Sequence, residues 1–479
     1  MSEPREAQTR RLADTQPSSG WRNRDHTRGS IIRSLLILSL PLMATSAAGV
    51  VYQLTDLTFL SKLGKAQMAS VIIVNQTVRQ VVMMAAMGLC FGTQALIARA
   101  VGEGDIDRAE RLAGQAVVIG LSFATLVAIS GLLLADPLFS LSAPDESFYQ
   151  YGVPYLKLVL ALSYGLIFMQ LFGAILGGAG DTTTPLLVMI FQVTLAIAGE
   201  WIFMFGHFGM PALGVKGVAV GMAIGQGVGI VIGVRVLFRG TSRLHLRLRH
   251  LVVDVSMMKE IGKLSWPPAI QMTVTILSTL AFLRLAGSFG ENTQTAYAIG
   301  LRLGMIVPML CFPLASACAI LVGQALGAGN VTRAWRAIFS GLVIHGSLMW
   351  TFAIVAFFFR TQILDFFTDD PEVIEIGSEY LLYASGAFFL WAFFFVFLRS
   401  LQGAGDMLVP MLISVVSTLF FSVPLAYILS QHTDLGRTGL WIAFLASSFV
   451  STVATGIRLA SGRWTERAAA SPAGGTPNP

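Results

Sequence analysis

The chain has 479 residues, of which 54% are hydrophobic and 12% charged, with a mean hydropathy of +0.71. Soluble domains carry about 25% charged residues, so a soluble enzyme is excluded and an integral membrane protein is expected. The net charge of +6 is unevenly distributed along the chain and reads as a topology signal rather than as nucleic-acid binding.

In chain order, residues 1–32 form a polar tail with Arg5, Arg10, Arg11, Arg22, Arg24 and Arg28, interspersed with Glu3, Glu6, Asp14 and Asp25. The first apolar run that follows is of full membrane length, which argues against a cleaved signal peptide. Nearly uncharged windows long enough to cross a bilayer predict six spans at about 33–60, 67–98, 112–135, 149–174, 184–206 and 213–238. A basic connection, 239–259, carries Arg239, Arg243, Arg247, Arg249 and Lys259. Six more spans are predicted at about 260–288, 293–325, 335–359, 376–398, 407–430 and 435–457. The windows at 67–98 and 293–325 exceed what a bilayer needs, so tilted or projecting helices are expected there. The closing segment, 460–479, is rich in Pro, Gly and Ala and is expected to be disordered.

The two sets of spans are copies of each other. Gly178-Ala179-Gly180-Asp181 followed by Pro185 returns as Gly403-Ala404-Gly405-Asp406 followed by Pro410, a shift of 225 residues. Gly102, Gly104, Arg108 and Ala109 return as Gly327, Gly329, Arg333 and Ala334 in the same register. The expected fold is therefore all-α and integral to the membrane: twelve transmembrane helices in two homologous six-helix lobes, 33–238 and 260–459. An even number of spans per lobe gives both the same orientation, related by an axis along the membrane normal, as in secondary transporters with a site between the halves.

Basic residues assign the sides. The tail, the central connection, Arg108, Arg111, Arg333, Arg336, Arg458, Arg463 and Arg467 all fall on one side of the predicted topology. Asp136, Asp145, Glu146, Asp365, Asp369, Asp370, Glu372 and Glu375 fall on the other. By the positive-inside rule both termini are expected in the cytoplasm.

Catalytic constellations are missing from the sequence. It has no phosphate-cradling Gly-Lys-Ser/Thr loop, no His-Glu-x-x-His and no Cys-x-x-Cys, so neither an ATP-driven pump nor a metal-dependent hydrolase is expected. No cofactor, metal centre or obligate protein partner is expected. Cys90, Cys311 and Cys318 all lie in apolar spans, where cysteine behaves as a small hydrophobe.

Ionisable residues inside spans are costly in lipid and point to function. Asp56 stands 8 residues before Gly64 and Glu200 stands 6 before Gly206, which puts both roughly 9–12 Å below the external surface. Their counterparts in the second copy are Phe282 and Leu425. A proton or cation site confined to one lobe explains that asymmetry, whereas acids needed only for helix pairing would not produce it. Gln53, Asn75, Gln76, Arg79, Gln192 and Thr194 are candidate cavity residues around these acids; interhelical hydrogen bonding is the plainer reading of each polar one. Arg79, Arg284 and Arg302 could neutralise an acid or reach back to the interface. Lys157 and His345 are weaker candidates. The aromatic run Phe388 to Phe397 is either packing or the wall of a cavity that accepts large apolar cations.

Over residues 33 to 459 the chain resembles the multidrug and toxic compound extrusion family. The stretch Thr55-Asp56 to Leu63-Gly64 is similar to that family's first-helix pattern, Gly178 to Pro185 to its Gly-Asp-Thr-x-Thr-Pro loop, and Glu200 to Phe205-Gly206 to its fifth-helix pattern. The resemblance implies a central cavity in a bacterial inner-membrane protein that exports small organic, often cationic molecules in exchange for protons or sodium. It also implies that Asp56 takes up the coupling proton or helps bind sodium. Where the family often has Asn and Asp in the fifth helix, this chain has Ala196 and Glu200, and a seventh-helix Glu of one bacterial branch is Thr275 here. The tenth helix has no acid between Tyr380 and Leu398. The chain thus resembles the branch with first-lobe coupling acids, and the fewer oxygen ligands favour protons over sodium. A flippase for lipid-linked oligosaccharide or polysaccharide, or a membrane protein that transports nothing, remain the alternatives.

Overall fold

The computed structural model describes residues 26–140 and 148–465. Most of the polar tail expected over 1–32, the closing segment from 466, and the acids Asp145 and Glu146 lie outside the described residues. Eleven helices are long and apolar enough to cross a membrane, and a bent pair supplies a twelfth. The first six are α1 (Ile31–Leu60), α2 (Lys65–Glu103), α3 (Ile106–Ser140), α4 (Tyr149–Ala161 with Ser163–Ala179), α5 (Thr183–Phe205) and α6 (Val215–Arg239). The second six are α7 (Val255–Gly287), α8 (Glu291–Gly327), α9 (Val331–Phe358), α10 (Pro371–Gly403), α11 (Leu408–Gln431) and α12 (Thr438–Ala460). All twelve predicted windows coincide with these helices. The two halves of α4 meet at 47° around Leu162. The excess length of α2 is taken up by a break at Thr77, where φ is −110° and ψ is −86°, rather than by a straight tilted helix.

The duplicated Gly-Asp motif is a helix stop. Gly180 and Gly405 take φ of +93° and +85°, the left-handed conformation that glycine adopts without strain. The aspartates that follow then diverge. Asp181 accepts from the backbone N–H of Thr183 and Thr184 at 3.2 and 3.0 Å and from the hydroxyls of Thr184 and Ser242 at 2.6 and 3.0 Å, capping α5. Asp406 instead meets the Arg458 guanidinium of α12 at 2.7 Å. The motif that reveals the repeat therefore turns the chain in both halves.

Helix α6 owes its seat to a stripe of small residues. Gly217, Gly221, Gly225 and Gly229 recur every fourth position, hence on one face. A Cβ at Gly221 would lie 2.2 Å from the backbone nitrogen of Glu200, one at Gly225 2.5 Å from the carbonyl oxygen of Gln192, and one at Gly217 2.6 Å from Met204. Backbones in contact gain van der Waals attraction where lipid offers no hydrophobic drive. Gly221→Leu is expected to destabilise the protein by about 3 kcal/mol or more, the upper range for overpacking, whereas Gly227→Leu, with nothing within 4 Å of the added carbon, should be tolerated. Thermal unfolding in detergent checks the pair, and equal melting temperatures would refute the backbone-contact account.

Among the described residues, buried clusters that combine both halves lie toward the linker, and clusters confined to one half lie away from it. A buried cluster around Val71, Phe139, Tyr155 and Met204 draws wholly on the first half, and one around Tyr297, Tyr380 and Trp441 wholly on the second. Toward the linker the halves interlock. A Cβ at Gly102 would lie 2.1 Å from the carbonyl of Gln324, and one at Gly327 2.1 Å from that of Arg99. Gln324 donates to the carbonyl of Gly178 at 3.0 Å, and Arg108 pairs with Glu260 at 2.9 Å. Leu35 and Leu38 of α1 lie in a cluster with α8 and Trp464, so the start of the first helix packs on the second half. The linker is pinned as well: Gln115 of α3 donates to the carbonyls of His250 and Val252 at 2.9 and 2.7 Å and accepts from the N–H of Asp254. Burial there holds the His250 imidazole below its ordinary pKa, although nearby Glu110 pulls the other way.

Candidate functional site

The two intramembrane acids belong to one site. Glu200 is fully buried between α5 and the glycine face of α6. One carboxyl oxygen, Oε1, accepts from the hydroxyl of Tyr52, one turn before Asp56 on α1. Its other oxygen, Oε2, is buried without a partner, and so is Oδ1 of Asp56. Because Tyr52 stands one turn before Asp56 on the same face of α1, its bond to Glu200 brings the two carboxyls into one neighbourhood. A buried carboxyl oxygen with open lone pairs costs free energy unless a proton or a cation fills them. This arrangement can therefore take up and release positive charge.

Arg79 is the basic candidate on α2. Its guanidinium is held within α2, where Nη1 donates to Oδ1 of Asn75 at 3.2 Å. The Tyr155 hydroxyl from α4 donates to the same oxygen at 3.4 Å. Asn75 and Arg79 flank the break at Thr77, so the discontinuity in α2 sets where this cation stands.

The other expected residues distribute unevenly. Gln192 lies two turns from Glu200 on α5, with Oε1 buried, unpartnered and close to Gly229. Gln53 and Gln76 are exposed. Thr194 is exposed and donates to the carbonyl of Ile190 in its own helix at 2.9 Å; six residues from Glu200, it projects from a different face of α5, and the structure does not bring it to the carboxyls. Arg284 and Arg302 are exposed. Lys157 pairs with Asp136 at 2.9 Å, and the buried His345 ring lies 3.0 Å from the carbonyl oxygen of Ala392. Much of the aromatic run on α10 packs within the second half: Phe389 stacks on Trp350 with centroids 4.7 Å apart, and Phe395 meets Phe312 edge-on at 5.9 Å.

Sequence reasoning missed two features. Tyr52 is four residues before Asp56, which puts it on the same helix face, and that spacing was readable. Arg399, near the linker end of α10, is 2% exposed; it donates to Gln94 of α2 and Gln402 of α10 at 2.8 Å each and lies 4.1 Å from the centre of the Phe91 ring. Gln402 continues to Gln271 at 3.2 Å, and Gln271 to Ser414 at 2.7 Å. A polar network thus closes the linker side between the halves.

Comparison with known proteins bears on what this architecture serves. The MatE family model matches residues 41–202 and again 267–428, which restates the internal repeat. The chain is 30% identical over 442 residues to a protein of Thermotoga maritima named "Probable multidrug resistance protein NorM", covering 91% of this chain and 94% of that one. It is 23% identical to the "Probable multidrug resistance protein YoeA" of Bacillus subtilis, over 89% of this chain and 92% of that one. Among solved structures, one described as the outward-facing conformation of a multidrug resistance MATE family transporter superposes with a TM-score of 0.85 at 22% identity, covering 93% of this chain and 99% of that one. A MATE structure in a bent conformation gives a TM-score of 0.86, also at 22% identity, over 95% of this chain and all of that one.

Proposed function

The chain belongs to the MatE family, the multidrug and toxic compound extrusion transporters, which are membrane carriers and not enzymes, and from that premise we propose that it exports organic, often cationic, drugs or toxic metabolites in exchange for protons. The observation that carries this reading is the acid pair itself: two carboxyls in one half, each with a buried oxygen that no protein group satisfies. Their confinement to the first lobe supports the reading that the chain resembles the branch with first-lobe coupling acids. Sodium is the competing ion, and Ala196 beside Glu200 offers it no oxygen ligand from its side chain.

The working arrangement has two lobes, 33–238 and 260–459, joined by the basic linker 239–259 in the cytoplasm of a bacterial cell, with both termini on that side of the inner membrane. With the linker side cytoplasmic, the contacts that join the halves there are those expected of an outward-facing state. A proton taken up by Asp56 and Glu200 neutralises the site, and a cationic substrate held near them, with Gln53, Asn75, Gln76 and Gln192 as candidate cavity contacts, loses its counter-charge and leaves. The lobes then rock with the proton held between the two acids, and proton release inside restores affinity for the next cation. In a one-for-one exchange of a proton for a monovalent cation no net charge crosses, so each pH unit contributes about 1.36 kcal/mol toward export, and the membrane potential adds about 2.3 kcal/mol per 100 mV only for each proton beyond the substrate's charge. Two intramembrane acids in the first lobe suit a cation exporter better than a flippase for pyrophosphate-linked sugars.

Purified protein in liposomes, loaded with a fluorescent lipophilic cation, tests the reading. An imposed proton gradient is expected to drive dye movement and a sodium gradient at equal pH is not. Movement under neither gradient would send the search to lipid-linked substrates.

A further inference from the structure

We propose that the groove where α1 meets α9 on the linker side binds an anionic phospholipid, with its phosphate on Arg336 and an acyl chain along the two helices. Arg333 of α9 shapes this groove. Its guanidinium donates to the carbonyls of His26, Arg28 and Gly29 at 2.7, 3.1 and 3.0 Å, clamping the segment before α1 onto α9. Beside the clamp lies a cavity of about 570 Å³ with Ile31, Ile32, Trp335, Arg336 and Phe339 among its walls. Trp335 meets the buried Trp464 edge-on with centroids 5.3 Å apart, which sets its ring at the wall. The site straddles the halves, since α1 belongs to the first and α9 to the second.

Charge and apolar surface together name the occupant. The stretches that build this corner, 26–55, 292–364 and 435–465, contain no Asp or Glu. Their linker-side ends carry Arg28, Arg33, Arg333, Arg336, Arg458 and Arg463. The acid of the neighbouring turn, Asp406, is buried and taken by Arg458 at 2.7 Å. None of the ion pairs among the described residues includes Arg28, Arg33, Arg336 or Arg463, and all four are exposed. Bases clustered at the ends of spans attract anionic lipid, each contributing about fivefold in affinity. Two apolar rows run on from the groove: Ile32, Leu36 and Leu40 on α1, and Trp335, Phe339 and Val343 on α9, each at every fourth residue and exposed. A soluble phosphate would use the arginines and leave these rows idle, and a lipid of no net charge would use the rows without answering the arginines. Neither end of the chain supplies the missing charge, because 1–25 has five bases to four acids and 466–479 has one of each.

The test places full-length protein in phosphatidylcholine nanodiscs holding a minor share of lipid brominated on its acyl chains, either phosphatidylglycerol or phosphatidylcholine. The Trp335 signal is the fluorescence difference between wild type and Trp335→Phe. Brominated phosphatidylglycerol is expected to quench it at a share of the lipid roughly fivefold or more below that needed with brominated phosphatidylcholine. Arg336→Gln should reduce that preference about fivefold, the scale of one base at an anionic surface, and Arg336→Lys should keep most of it. A second readout is the melting temperature of detergent-purified protein, which should rise with added phosphatidylglycerol but not with phosphatidylcholine or glycerol phosphate, the rise being lost when Arg33→Gln and Arg336→Gln are combined. Equal quenching by the two brominated lipids would leave only ordinary surrounding lipid and overturn the proposal, as would a Trp335 signal that neither quenches. Stabilisation by glycerol phosphate as large as that by lipid would give the arginines to a soluble anion and overturn it too. An undiminished preference in the double variant would put the headgroup elsewhere, with the same consequence.

Discussion

Asp56→Asn is expected to abolish proton-driven efflux, by about a hundredfold or more in initial rate, while leaving the protein folded and able to bind a lipophilic cation weakly. The substituted amide has nearly the volume of the carboxyl and still presents an oxygen at the Oδ1 position, which is buried and unpartnered in the native chain. What it cannot do is lose and regain a proton. An interaction used only in one state of the cycle affects turnover, whereas one used in all states affects binding alone. Asp56→Glu restores a titratable group and should recover part of the rate. Dye movement in liposomes under a proton gradient measures both, and an Asp56→Asn protein transporting at the wild-type rate would remove Asp56 from the mechanism and leave Glu200 to carry coupling alone.

Arg399→Met is expected to shift the protein toward the conformation open on the linker side. The native guanidinium is buried with amide partners rather than a carboxylate, and one of them, Gln94, belongs to the opposite half, as does the Phe91 ring beneath it. A hydrogen bond to a charged group contributes about 1.5–3 kcal/mol, and a desolvated cation over an aromatic face about 2 kcal/mol. Both contributions are lost when the halves part at this point, so both favour the closed side. Methionine fills much of the same volume without a charge, and the Gln402–Gln271–Ser414 chain remains to hold the second half together. Removing a buried charge can even raise fold stability. Population of the open state should rise at least about tenfold, equivalent to roughly 1.4 kcal/mol. Spin labels on cysteines placed at Glu103 and Ala328, in the two helices that meet at Gly327, should show a longer distance fraction in Arg399→Met. An unchanged distance distribution alongside an unchanged or higher melting temperature would mean that Arg399 only fills the core.

The two substitutions act on different parts of one machine. Asp56 lies on α1, whose opposite end packs against α8 of the second half through Leu35 and Leu38, so α1 physically spans the acid site and the closed side. Helix α2 also reaches the closed side, with Arg79 at one end of its broken span and Phe91, Gln94 and Gly102 against the second half at the other. Any rocking of the halves must carry both helices.

By itself the sequence determined the class of the protein, its twelve spans, its duplication and the two acids that matter, because each of these is a one-dimensional signal. A bilayer demands some twenty apolar residues per crossing, a copied gene keeps its turns in register, and an uncompensated carboxyl in an apolar run is rare enough to stand out. Gly180 and Gly405 were legible for the same reason, since a left-handed glycine at a helix end is a local device; that Asp181 caps the next helix while Asp406 pairs with Arg458 was not. Only the tertiary structure decided which partners those residues have. That Glu200 faces Tyr52 follows from α5 lying against the glycine stripe of α6 and beside α1. That Arg79 is held by Asn75 and Asn75 by Tyr155 follows from the break in α2, which both residues flank. That Thr194 turns away while Gln192 is buried is a matter of a helix face whose direction is set by what packs on it. In a soluble protein, polar and apolar periodicity announces such faces; in lipid, both the buried and the lipid-facing sides are apolar, so the pattern that would have revealed them is erased.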